Sequence, residues 1–332
     1  VSGGNPWLGW RLLGPGAVSA PALDRNGGVL DMTTTQVNGT DDEAPADPPR
    51  RRVPMALVTW VFVLLILMIV VVLLVVKITR GSTTVTPPPV APAASGVVHA
   101  ATSVPTAIFD AAGAPQAGAP GEAVLTGQPP LSIAGRPAVV YVGAEFCPYC
   151  AAERWVLVTA LGRFGTFSHL GATSSSNAEV FAGTPTFTFD GTTYRSRYLS
   201  FAAVEVYGDQ PSVTAPAGYP KLRDPTPLEW ALLKRYDTEP FVPADGTFPF
   251  VDVDNRLLVS GAGIGFSPGV LQGKSMAQIA DDLSKPSNAD TQAVLGAANR
   301  LSAALCAATG GQPTSVCNSD GVRAGASRLG LP

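Results

Sequence analysis

Residues 138–161 read AVVYVGAEFCPYCAAERWVLVTAL, and this stretch decides the fold. Ala138 to Ala144 is a short Val-rich apolar run, the pattern of a strand buried on both faces. Pro148 stands where a first helical turn begins, and Ala151 to Leu161 continues as helix. Cys147, Pro148, Tyr149 and Cys150 lie at the junction. A thiol at a helix N-terminus meets the positive end of the peptide dipoles and unpaired N–H groups, which favour thiolate. Thiolate is the attacking species in disulfide exchange, and a second thiol one turn on resolves the mixed disulfide. Cys147 is therefore the expected nucleophile and Cys150 the sheltered resolving thiol, with Tyr149 exposed beside them as a substrate contact. An inert structural disulfide is the second possibility. A zinc half-site is the third and poorest, because Cys306 and Cys317 are eleven apart rather than three.

Upstream, Val53 to Val76 is 24 residues without a charge, long enough for a transmembrane helix and lacking the polar face of a core helix. Arg50, Arg51 and Arg52 abut one end, and Lys77 and Arg80 the other. No Lys or Arg follows Arg80 until Arg136, so the positive-inside rule places the N-terminus in the cytoplasm and the C-terminal domain outside the cell membrane. All four cysteines fall on the outer side, where disulfides persist. Residues 1–52 read as a disordered cytoplasmic segment, with translation starting at Val1 or at Met32. Residues 77–130 read as a Pro/Ala/Gly-rich linker, with His99 a solvated position in it.

Downstream, Phe187 to Phe189 and Tyr198 to Val206 have strand character and are separated by the turn at Asp190 and Gly191. Thr226 caps a helix to Tyr236. Phe250 to Val253 and Arg256 to Ser260 form a hairpin around Asp254 and Asn255. Ser275 opens a helix to Leu283, and another covers Asp290 to Ala307. Cys306 and Cys317 flank a turn-rich stretch and are expected to form a structural disulfide, in preference to a second redox pair. Residues 319–332 read as a disordered tail. Glu145 is a candidate proton acceptor for the resolving thiol, or else a solvated strand terminus. Arg154 reads as a solvated helix position, Trp155 as core and His169 as structural.

The CPYC motif between strand and helix resembles the thioredoxin superfamily, Pro148-Tyr149 being similar to glutaredoxins and the long following stretch to DsbA-type oxidoreductases. The resemblance implies an α/β thioredoxin-like fold over 131–318, with an insertion between the CxxC half and the closing hairpin. It also implies a cis-proline facing the cysteines. Pro249, preceded by Phe248 as a substrate contact, has the family's order of strand, turn, strand and helix, and is preferred over Pro185. The segments AEFCPYCAAERW, FGTF and CAATGGQPTSVC further resemble an actinobacterial family of membrane-anchored proteins of unknown function. Phe146 departs from the Trp that usually precedes the first cysteine.

Charged residues make up 14% of the 332 and the net charge is −3, which excludes a basic nucleic-acid binder. The two histidines exclude a histidine-rich metal site. The expected function is a thiol–disulfide oxidoreductase acting on exported proteins, served by a membrane or periplasmic redox partner and needing no metal or cofactor. The alternative is a non-catalytic scaffold with a locked disulfide. Burial of Cys147 by residues 171–246 would favour that alternative.

Overall fold

The computed structural model describes residues 55–79, 90–114, 119–243 and 246–331, so the readings of residues 1–52 and of 80–89 lie outside the described residues. Two units account for the chain. One contains helix α1 (Met55–Thr79), whose side chains from Trp60 to Leu73 are exposed. Taken over the described side chains alone, no helix is long and apolar enough to cross a membrane.

The other unit is a mixed α/β domain. In chain order it runs α2 (Ser95–Thr102), α3 (Thr106–Ala112), β1 (Glu122–Val124), β2 (Ser132–Ile133), β3 (Arg136–Gly143) and α4 (Pro148–Gly162). Next come β4 (Thr166–Ser168), β5 (Gly171–Ser174), β6 (Pro185–Thr188), β7 (Thr193–Arg195) and β8 (Ser200–Glu205). It continues with α5 (Pro227–Tyr236), β9 (Phe250–Val253), β10 (Leu257–Ser260), α6 (Met276–Asp282), α7 (Ala289–Ala308), α8 (Thr314–Cys317) and α9 (Asp320–Leu329).

The main sheet is built outward from β3. Ala138 to Val142 are each at most 1% exposed, so the strand has no polar side to present. It pairs parallel with β8, Gly143 opposite Glu205, and antiparallel with β9, Val142 opposite Phe250. With β10 and β1 the order is β8-β3-β9-β10-β1, and the short β2 folds back on Arg136 and Pro137. The two-fold alternation divides the core. Val139 and Tyr141 face α4 and α7, while Val140 and Val142 face Leu232, Leu233 and Tyr236 of α5. Asp254 and Asn255 close the β9–β10 hairpin at φ of 53° and 51°, a region Asp and Asn enter more readily than bulkier residues. Thr226 and Ser275 each complete a capping box, with Glu229 and Gln278 respectively.

Two expectations are corrected here. The stretch assigned to the linker contains α2, α3 and the edge strand β1, with Val97, Ala101 and Phe109 buried. The stretch assigned to the tail contains α9, with Val322 and Leu329 buried. The physical reason is shared. Small residues in these segments serve packing: Ala101 of α2 is fully buried, and a Cβ added at Gly321 or Gly325 would stand 2.4 Å or 2.6 Å from Asn299. Asn299, buried in α7, donates its amide to the carbonyls of Phe109 and Gly113, both at 2.7 Å. Arg163 at the end of α4 reaches Asn299, Ser302 and Ser319, and its guanidinium lies 4.1 Å over the Phe109 ring.

On α4, Glu153 is 1% exposed and its Oε1 has no hydrogen-bond partner among the described residues. Burial pushes this carboxyl up to about 8; the Arg300 charge lowers it and Glu122 raises it. A folded value above the unfolded one, roughly 4.3, means the stability contributed here is full below that pH and is lost as pH rises through the folded value. Glu153→Gln should therefore flatten the fall in melting temperature between about pH 5 and pH 9, gaining a few kcal/mol over the wild type at the alkaline end. Thermal melts of both proteins across that range test it, and parallel curves would remove Glu153 as the source.

Candidate functional site

The chain leaves β3 at Gly143, crosses Ala144, Glu145 and Phe146, and enters α4 with Cys147 as its N-cap. Pro148 follows at the first helical position, where a missing N–H leaves no helical bond unmade. The N–H of Cys150 donates to Cys147 Sγ at 3.3 Å. The Cys147 thiol in turn faces the Phe248 carbonyl at 3.6 Å. Cys147 and Cys150 are both free thiols, the first 7% exposed and the second fully buried.

The Phe248–Pro249 peptide is cis, with Pro249 buried and leading into β9. Pro185 is not in a cis bond. It opens β6, and its carbonyl accepts the indole N–H of Trp155 at 2.9 Å.

Below the cysteines lies a charged cluster that contradicts the reading of Arg154 as a solvated position: its side chain, like that of Glu205, is 0% exposed. Arg154 Nη1 donates to both Glu205 oxygens at 3.1 Å and to the Tyr141 hydroxyl at 3.2 Å. The Tyr141 hydroxyl donates on to Glu205 Oε2 at 3.4 Å. Glu145 is also buried rather than solvated, and its Oε1 accepts the Thr188 hydroxyl at 2.6 Å.

Burial opposes a thiolate at Cys147, yet the Cys150 thiol, the Cys150 N–H and the Arg154 charge outweigh it and hold this thiol below its ordinary range. Cys150 moves the other way: burial, then the hydrogen bond and charge of Cys147, hold it well above. Burial raises Glu145 against the Thr188 hydrogen bond, and raises Glu205 to about 7 against the pull of Arg154. Glu205 is the carboxylate that weighs on Cys150. The result is a dithiol with one thiol disposed to ionise and its neighbour disposed to keep its proton.

Aromatic rings rim the site. Phe146 stacks on Tyr219 at 4.1 Å, and the Tyr219 hydroxyl donates to Glu179 at 2.7 Å. Tyr149 and Phe248 are half-buried, edge-on to Phe181 and to Tyr207 respectively. Tyr207, from the segment between β8 and α5, packs against the cysteines and Tyr219 of the same segment covers Phe146, so residues within 171–246 do contribute to covering the site.

The structure thus gathers Cys147, Cys150, Tyr149, Phe248 and Pro249 in one place. Sequence reasoning missed Arg154, Glu205, Tyr141 and Tyr219. A signal existed for Glu205, the lone charge in the otherwise apolar SFAAVEV, and a weaker one for Arg154, which shares AAERWVLVTAL with Glu153. Cys306 and Cys317 are disulfide-bonded with Cα atoms 5.5 Å apart, joining the end of α7 to α8.

A family model described as a domain of unknown function (DUF929) matches residues 124–307, more than half of the chain. No curated protein and no solved structure matches it.

Proposed function

We propose a function from the premise that the chain belongs to the DUF929 family, whose description assigns none: it is a membrane-anchored, extracytoplasmic thiol–disulfide oxidoreductase of exported proteins. The observation that carries this is Cys147 Sγ, held at the N-terminus of α4 by the Cys150 N–H and facing the Phe248 carbonyl before cis Pro249. In the oxidising direction, the Cys147–Cys150 disulfide is attacked by a substrate thiolate at Cys147 Sγ. The bond to Cys150 breaks, a mixed disulfide forms, and Cys150 takes up a proton. A second substrate thiolate then displaces Cys147, leaving the substrate oxidised by two electrons and the protein pair reduced. The reducing direction is the same path reversed.

Further support comes from the sheet. A parallel β3–β8 pair with the antiparallel β9–β10 hairpin beside β3, and CxxC at the start of the helix after β3, is the arrangement a thioredoxin-like fold requires. Anchoring is supported by α1, whose 25 residues extend about 37 Å against a hydrocarbon core of roughly 30 Å. The absence of Lys and Arg between Arg80 and Arg136 favours a cytoplasmic N-terminus.

The 7% exposure of Cys147 favours a second function, a scaffold whose dithiol stays locked as a structural disulfide. The reduction potential of the Cys147/Cys150 pair, measured on the full chain in detergent against glutathione or dithiothreitol, separates the two. A value between about −120 and −270 mV is expected for an exchange enzyme, whereas one below about −300 mV would establish the scaffold.

A further inference from the structure

We infer that Arg154 is a positioning residue of the dithiol, clamping the turn that carries Cys147 and holding a buried positive charge beneath both sulfurs, balanced by Glu205. The inference rests on the dithiol function proposed above and extends it to the residues that set its reactivity. Arg154 lies four residues after Cys150 on α4, hence one turn along the same side. Its Nη1 donates to the Ala144 carbonyl and its Nη2 to the Glu145 carbonyl, each at 3.4 Å. Those are two of the three residues between β3 and Cys147, so the guanidinium is bonded to the backbone that aims the nucleophile.

The rest of the cluster is arranged around that charge. Glu205 ends β8 opposite Gly143, the last residue of β3. Tyr141 reaches both charges because Gly143 has no side chain: a Cβ there would stand 2.0 Å from the tyrosine hydroxyl. The ionisable groups facing the guanidinium are Glu205, Tyr141, Cys150 and Glu145, and its charge acts on Cys147 as well. Stability alone does not account for such a pair, since well-packed apolar residues of similar volume often serve a fold as well or better. What an apolar substitute would not supply is a charge beneath the sulfurs and donors for the two carbonyls.

The test is the rate at which the reduced full chain, in detergent, is alkylated by iodoacetamide across a pH series, with the adduct mapped to Cys147 by mass spectrometry. Arg154→Met removes the charge that favours the thiolate, so Cys147 should ionise at higher pH and alkylate about tenfold more slowly below its pKa. Glu205→Gln removes the carboxylate that offsets Arg154, so above about pH 7, where Glu205 is ionised, Cys147 should ionise at lower pH and alkylate faster. The opposite signs are the signature, because a purely structural role would loosen the site in both variants alike. Shifts of the same sign, or none, overturn the inference. Glu205→Gln keeps the shape and one acceptor oxygen, and carries the test by itself should Arg154→Met fail to fold: unchanged or slower alkylation then overturns the inference. Alkylation needs no exchange partner, so a chain that fails to exchange with any disulfide, which would defeat the proposed function, still reports on Arg154.

Discussion

Cys147→Ser should abolish thiol–disulfide exchange by the full chain, and Cys150→Ser should arrest it halfway as a stable mixed disulfide. The asymmetry follows from the geometry. Only Cys147 reaches any solvent, and only Cys147 has both a helix-terminal N–H on its sulfur and a thiol ionising below its ordinary range. A serine hydroxyl there cannot stand in, because it stays protonated at neutral pH and forms no disulfide. Replacing Cys150 leaves its backbone N–H on Cys147 Sγ, so the nucleophile survives, losing only the help of the neighbouring thiol. Nothing then resolves the mixed disulfide. Cell envelopes carrying Cys150→Ser should show new species on non-reducing gels that collapse on reduction and are missing from the double variant. A chain present in normal amount with no trapped species would support the scaffold function.

What the sequence disclosed, and what it hid, follows the range of the interactions concerned. β3 and α4 were legible because an apolar Val-rich run and a Pro at the first helical position are local signals. So were the capping boxes at Thr226 and Ser275 and the turn at Asp254 and Asn255. Pro249 could be preferred over Pro185 from the order of neighbouring elements, and the cis bond is at Phe248–Pro249. Arg154 and Glu205 were illegible as a pair because they are 51 positions apart, and the helix gave no polar stripe to mark the guanidinium as buried. Phe146 and Tyr219 meet only through a loop whose path no short pattern states. The helices α2, α3 and α9 were hidden by composition. Ala, Gly and Thr signify a flexible linker in isolation, yet Ala101 of α2 is buried, and α3 and α9 both close on Asn299. The family match, ending at residue 307, spans the dithiol, the Arg154–Glu205 pair and Cys306 but stops short of Cys317 and α9.

That boundary makes the Cys306–Cys317 bond the second place where a large effect is expected. The bridge closes a loop of eleven positions, worth about 3 kcal/mol in the chain-entropy model. For a domain of this size such a loss lowers the melting temperature by about 6–12 °C. Cys306→Ser, or the Cys306→Ser/Cys317→Ser double variant, should therefore melt earlier by that amount while keeping the potential of the Cys147/Cys150 pair. The two effects separate because α9 is already held to α7, to α3 and to the end of α4 through contacts the bridge does not make. Gly321 and Gly325 lie against Asn299, the Gly321 N–H donates to Asp110 at 2.7 Å, and Arg163 binds Ser319 at 3.1 Å. The fold should survive at moderate temperature with its C-terminal helices loosened, detectable as faster hydrogen exchange across α8 and α9 before any change at α4. An unchanged melting temperature would show that the unbridged chain is equally constrained there. A shifted potential at Cys147/Cys150 would instead mean that the two cysteine pairs communicate, and that the bridge is part of the redox chemistry.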